Sequence, residues 1–159
     1  MRRVLWLFLL ACASGVSGFG GTLGVDFTNP GFNNVNQSYS MGYQFNVIAP
    51  VQLVGLALYD DFGNGLTGSH AIGLWDPSGT LIASTSVDSS DPLIGTGPFR
   101  WHAVDPLFLA VGNDYRVAGV TSTDSWAGLP ATLSVDPSIQ AVFDRWTPLG
   151  SGSTLTYPT

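Results

Sequence analysis

The stretch Tyr39-Ser40-Met41-Gly42-Tyr43-Gln44-Phe45-Asn46-Val47 alternates large apolar residues with small or polar ones at every step. A β-strand turns successive side chains to opposite faces, so this period of two predicts a strand with one buried face and one wet face. Pro50 punctuates it. Residues 51–59 follow as a second strand whose apolar register shifts at Val54-Gly55, the mark of a bulge. Further on, Asp76-Pro77-Ser78-Gly79 has the residue preferences of a type I turn. Pro presets φ there, and the Asp side chain accepts a backbone N–H. That turn joins residues 71–75 to 80–87 as a β-hairpin.

The same reading extends outward. Residues 99–104, 107–111, 115–121, 139–146 and 154–157 read as strands, with Asp105-Pro106 and Gly112-Asn113-Asp114 as turns. Residues 60–69, 88–98 and a polar stretch holding Trp126 and Pro130 read as loops. Residues 19–38, rich in Gly and Asn, read as an entry segment with one edge strand near 22–27. Roughly eight to ten short strands with frequent turns predict an all-β fold, a two-sheet, jelly-roll-like β-sandwich over residues 39–159. The sandwich is expected to be curtailed at its C-terminal end.

Composition supports this. All eleven acidic residues are Asp, and the chain has no Glu and no Lys. Glu and Lys favour helices, whereas Asp favours caps and turns. Twenty Gly and ten Pro add further turn formers. The net charge of −6 argues against a nucleic-acid partner, which needs a basic footprint.

Residues 1–18 have the three parts of an export signal. Arg2 and Arg3 precede the apolar run 4–13, and Ser14-Gly15-Val16-Ser17-Gly18 supplies small residues for cleavage after Gly18. A membrane-spanning helix needs about 20 apolar residues, so this run is too short to span. The expected mature chain is therefore secreted or extracytoplasmic, in the bacterial periplasm, outer surface or matrix, and has no membrane span. A buried N-terminal strand or helix is the competing reading. Cys12, the one cysteine, sits in a loose lipobox, Leu9-Leu10-Ala11-Cys12; otherwise it leaves with the signal, and the domain holds no disulfide.

No G-x-S-x-G elbow, H-E-x-x-H, phosphate loop or dinucleotide fingerprint is present, so no catalytic residue is assigned and a non-enzyme is expected. The densest polar cluster is Asp60-Asp61-Phe62-Gly63-Asn64-Gly65-Leu66. Asp60, Asn64 and Gly65 fit the first, fifth and sixth places of an EF-hand loop, but Phe62 stands at the third and Ala71 at the twelfth. Asp60, Asp61 and Asn64 remain candidate calcium ligands; the competing reading is an Asx-rich turn that bonds its own backbone. Flat indole rings pack on pyranose faces as readily as in a core. Trp126, read in a polar loop, and Trp101 are thus the candidate ligand contacts. His70 and His102 lack metal-ligand spacing. Asn36-Gln37-Ser38 is formally a glycosylation acceptor.

The stretch from Tyr39 to Val47, Leu58-Tyr59-Asp60-Asp61 with Gly63-Asn64-Gly65-Leu66, and Ser69-His70 with Gly73-Leu74-Trp75-Asp76 and Ser78-Gly79 together resemble a known group. It is the secreted β-sandwich domains of unknown function found in bacterial PEP-CTERM/exosortase-sorted proteins. Phe99-Arg100-Trp101, Gly112-Asn113-Asp114-Tyr115 and Leu155-Thr156-Tyr157-Pro158-Thr159 extend the resemblance, while the Pro-Glu-Pro sorting motif, apolar anchor and basic cluster are missing. The resemblance implies export and a link to exopolysaccharide. The expected function is a non-catalytic structural or adhesive role in the envelope or exopolysaccharide matrix. The alternative is a carbohydrate-binding module stabilised by calcium.

Overall fold

The computed structural model describes residues 9–13, 21–34, 38–122, 124 and 126–159. Arg2, Arg3, residues 14–18, Asn36 and Gln37, which carry parts of the export and glycosylation readings, lie outside them. The strands are β1 (Leu9–Ala13), β2 (Gly21–Leu23), β3 (Val25–Asn34), β4 (Ser38–Val47), β5 (Val51–Tyr59) and β6 (His70–Trp75). They continue with β7 (Leu81–Val87), β8 (Leu93–Ile94), β9 (Phe99–Leu109), β10 (Gly112–Val120), β11 (Trp126–Val135) and β12 (Ile139–Gly150). One sheet has the order β2-β1-β5-β9-β8 and the other β12-β4-β10-β6-β7, with β11 and β3 forming a two-stranded third. The fold is all-β, antiparallel sheets packed on one another. The chain crosses between the two larger sheets from β4 to β5, from β5 to β6, from β7 to β8 and from β9 to β10.

The alternation in β4 sorts as expected: Met41, Tyr43, Phe45 and Val47 are buried in the core. Each such side chain contributes about 1.5–3 kcal/mol by leaving water. Tyr43, Phe45 and Tyr115 form one aromatic chain, and Phe27, Tyr59 and Phe99 another. The second group ties β3 to β5 and β9, so the Gly/Asn-rich segment contributes to the core instead of merely leading into it. The β6–β7 hairpin closes as the turn chemistry requires. Asp76 Oδ1 accepts the Ser78 and Thr80 amides at 2.9 and 3.0 Å, and Gly79 takes the left-handed φ of 81°.

Three expectations are corrected. Asp105-Pro106 does not end a strand: β9 runs through it. Between the pairs Leu53–Leu107 and Gly55–Ala103, β9 has extra residues opposite β5, and this bulge absorbs a proline that cannot donate to a ladder. Trp126 is not in a loop; it opens β11 opposite Asn34. Residues 154–157 form no strand; the C-terminal segment instead straps the outer face of the β4 sheet. Ser40 Oγ donates to the Thr156 carbonyl, and Arg116 donates to the Pro158 carbonyl at 2.7 Å while lying 4.7 Å over the Tyr157 ring. Trp75 meets the same ring edge-on. This strap explains why Ser40, read as water-facing, is fully buried.

Candidate functional site

The loop after β5 is built around Asp60, which is only 1% exposed. Its amide donates to the Pro98 carbonyl at 2.7 Å, and its own carbonyl accepts the Gly63 amide at 2.9 Å. Its carboxylate accepts the Gly65 amide at 3.1 Å and Arg100 Nε at 2.6 Å. Arg100 is carried in from β9, and its Nη1 donates to the carbonyls of Ser89 and Asp91. Ser89 Oγ closes the circuit on the Leu66 carbonyl at 2.6 Å. A buried, charge-assisted pair thus holds residues 60–66 against residues 89–91.

What this scaffold displays is Phe62. It stands in a 3₁₀ turn (Asp61–Gly63) with φ 62° and ψ 2°, and it is 82% exposed. A bulky side chain in the left-handed region costs of order 1–3 kcal/mol and persists only where its surroundings impose it. Here Asp60 on one side and Gly63 and Gly65, both at positive φ, on the other impose it. Leu93, itself half exposed, sits beside Gly63 and extends the apolar surface.

The three calcium candidates are not brought to one point by a shared partner. Asp60 is spent on Arg100 and Gly65. Asp61 accepts the Tyr59 hydroxyl at 3.4 Å, and Asn64 is exposed. Among the described residues, no group of three or more His, Cys, Asp or Glu side chains is placed to hold a metal ion. Trp101 and Trp126 are both half-buried and pack against the core. Trp101 lies so close to Gly55 that a Cβ there would stand 2.5 Å from its ring. No described ring contact joins the two indoles.

Two imidazole–carboxylate pairs flank the loop. His70 is buried; Val120 O can only accept, so Nδ1 carries the proton of their 2.8 Å bond. Its Nε2 lies 2.7 Å from Asp124 Oδ2, not aligned as a hydrogen bond. Asp124 also accepts the Thr67 amide at 2.8 Å. The Nδ1 bond thus ties the start of β6 to the end of β10, and Asp124 ties the segment after β10 to Thr67. His102 meets Asp91 at 2.8 Å, with its side chain half exposed.

Other carboxylates serve as turn braces. The Ser78 hydroxyl and the Thr80 amide hold Asp76 below the ordinary carboxylate value, and the Ser90 hydroxyl and amide do the same for Asp88. For Asp136, burial works upward, but hydrogen bonds from Ser138 and Thr22 outweigh it and the net direction is down. Asp144 goes the other way, raised by burial. Depressed carboxyls stabilise the fold above their unfolded value and lose that contribution as pH falls through the folded one. The thermal midpoint should therefore hold near neutrality and decline below about pH 3.8. Asp144→Asn should raise it at neutral pH, where the partly buried charge costs most. A pH series of melting curves checks both; an unchanged midpoint down to about pH 2 would contradict the brace account.

Sequence reasoning located this loop but passed over Phe62, treating it as the residue that spoils a calcium motif. The available signal was an aromatic side chain set among Asp, Gly and Asn, where only turn formers are needed. Arg100 carried no local signal, since its partner lies forty positions away.

No curated protein and no solved structure matches the chain. The family model described as "Domain of unknown function (DUF4082)" matches residues 27–139, most of the chain, from within β3 to the start of β12. The chain belongs to the DUF4082 family.

Proposed function

We propose that this is a non-catalytic, exported β-sandwich module that adheres to extracellular polysaccharide in the bacterial envelope or matrix. Its contact element is the residue 60–66 loop. The observation that carries this reading is Phe62, a strained and exposed aromatic on a loop whose buried carboxylate, Asp60, is satisfied by Arg100 and the Gly65 amide. An aromatic ring presented rigidly offers a flat apolar face at low entropic cost, which suits the apolar face of a pyranose. Asp61 and Asn64 flank it with groups able to bond sugar hydroxyls. The resemblance to exosortase-sorted proteins and the pattern of residues 1–18 support the extracytoplasmic setting. Among the described residues, no helix is long and apolar enough to cross a membrane.

Calcium is not needed in this reading. A cation at Asp60 would have to displace Arg100 from a buried carboxylate, leaving a guanidinium without its counter-charge. The test is retention of the exported protein on immobilised bacterial exopolysaccharide and on a glycan array, each with calcium and with EDTA. The expected result is binding of equal strength in both, with no calcium-dependent rise in melting temperature, since a cation bound to the native state must stabilise it. Binding lost in EDTA would replace this reading with the calcium-stabilised module. No binding in either would end the adhesive role.

A further inference from the structure

The export reading and the sheet meet at β1. Leu9–Ala13 lies between β2 and β5, pairing from Leu9–Ala57 to Ala13–Gln52 on β5, with a register shift after Ala11. Cleavage after Gly18 would remove that strand. β2, which pairs only with β1 in this sheet, would lose its partner, and β5 would become the edge. β5 is a poor edge. Val51-Gln52-Leu53-Val54-Gly55-Leu56-Ala57-Leu58-Tyr59 holds no charge and no proline, and Leu53, Leu56, Ala57 and Leu58 are buried on both faces. Native edges are protected by charge, proline, bulges, brevity or cover, and once β1 is gone this nine-residue strand keeps only its bulge at Val54.

We infer that in the processed protein the place of β1 is taken by β5 of a second copy, giving a twofold dimer with one continuous sheet across the interface. This rests on the export reading above. β1 runs antiparallel to β5, and an antiparallel β5–β5 pair centred on Gly55 covers residues 52–58, which include the 52–57 that β1 covers. Such an interface is self-complementary by symmetry. Each copy brings the same uncharged backbone edge and finds in the other the ladder it has lost. β2 cannot substitute by sliding across. Being antiparallel to β1 it would meet β5 in parallel, and its three residues leave half of the edge uncovered.

The experiment expresses the full precursor in a bacterial host, isolates the exported protein, and measures its intact mass and its solution mass by light scattering. The expected result is a chain lacking residues 9–13 with the solution mass of a dimer. Gln52→Lys and Val54→Lys, which put a charge on the pairing edge, should each return the monomer mass with the circular dichroism spectrum of a folded β protein. Amide exchange adds a reading on the unmutated protein: residues 52–57 should be protected at high concentration and exchange faster on dilution. A cleaved chain that is monomeric, or β5 amides whose protection ignores dilution, overturns the dimer and leaves the export reading standing. Retention of residues 9–13 in the exported chain, seen in the intact mass alone, overturns both.

Discussion

Asp60→Ala is expected to destabilise the domain by about 3–5 kcal/mol, the largest loss for any single change at the loop. The substitution removes a carboxylate that is almost fully buried and leaves the Arg100 guanidinium beside it without a counter-charge. It also orphans the Gly65 amide. For a domain of this size the loss corresponds to a fall in melting temperature of roughly 10 °C. Removing both charges should cost less than the sum of the two single changes, because Asp60→Ala with Arg100→Met leaves no buried ion behind. Urea denaturation of the two single variants and the double variant measures this. Additive losses would mean that the two side chains act independently, contrary to the 2.6 Å contact.

Gly42→Ala is expected to cost about 3 kcal/mol, at the upper end of the range for overpacking. A Cβ on Gly42 would stand 1.8 Å from the Val117 carbonyl oxygen and 2.8 Å from the Ala118 Cα, both backbone atoms of the adjacent strand β10. A flexible side chain could swing away; a ladder strand cannot move without opening its pairs with both β4 and β6. The same substitution at an open position such as Gly68, with no neighbour within 4 Å, should be nearly neutral and serves as the control. Thermal denaturation of both variants checks the difference, and a Gly42→Ala protein as stable as the parent would refute the close approach.

The elements legible from sequence were those whose determinants are local. The period of two in β4, the Asp76–Gly79 turn and the Val54-Gly55 bulge, where Val54 is an extra residue opposite β1, each depend on a few neighbouring residues, and each is where the residues place it. β3 and β11 were not legible as a pair. Val25-Asp26-Phe27-Thr28-Asn29-Pro30-Gly31-Phe32-Asn33-Asn34 reads as turn-rich, and its strand character comes from a partner about a hundred residues away, with Pro30 opposite Pro130. Trp126 was misplaced for that reason, since its strand exists only through that pairing. Alternation points Ser40 away from the core, yet it is buried by a C-terminal strap that alternation cannot anticipate. The loop at residues 60–66 was legible as a place of interest but not in its chemistry. Whether Asp60 meets a cation or a guanidinium depends on where the sheet delivers Arg100.

That distinction is the core of the functional account: the loop is braced from within so that Phe62 can face outward. The most direct measurement compares polysaccharide binding by the purified parent protein with that of Phe62→Ala and Trp126→Ala. Phe62→Ala alters an exposed side chain and should keep the melting temperature of the parent while weakening binding at least about tenfold, equivalent to about 1.4 kcal/mol. Trp126→Ala should leave affinity intact even where it lowers stability. Undiminished binding by Phe62→Ala, or binding lost only with Trp126→Ala, would contradict the account.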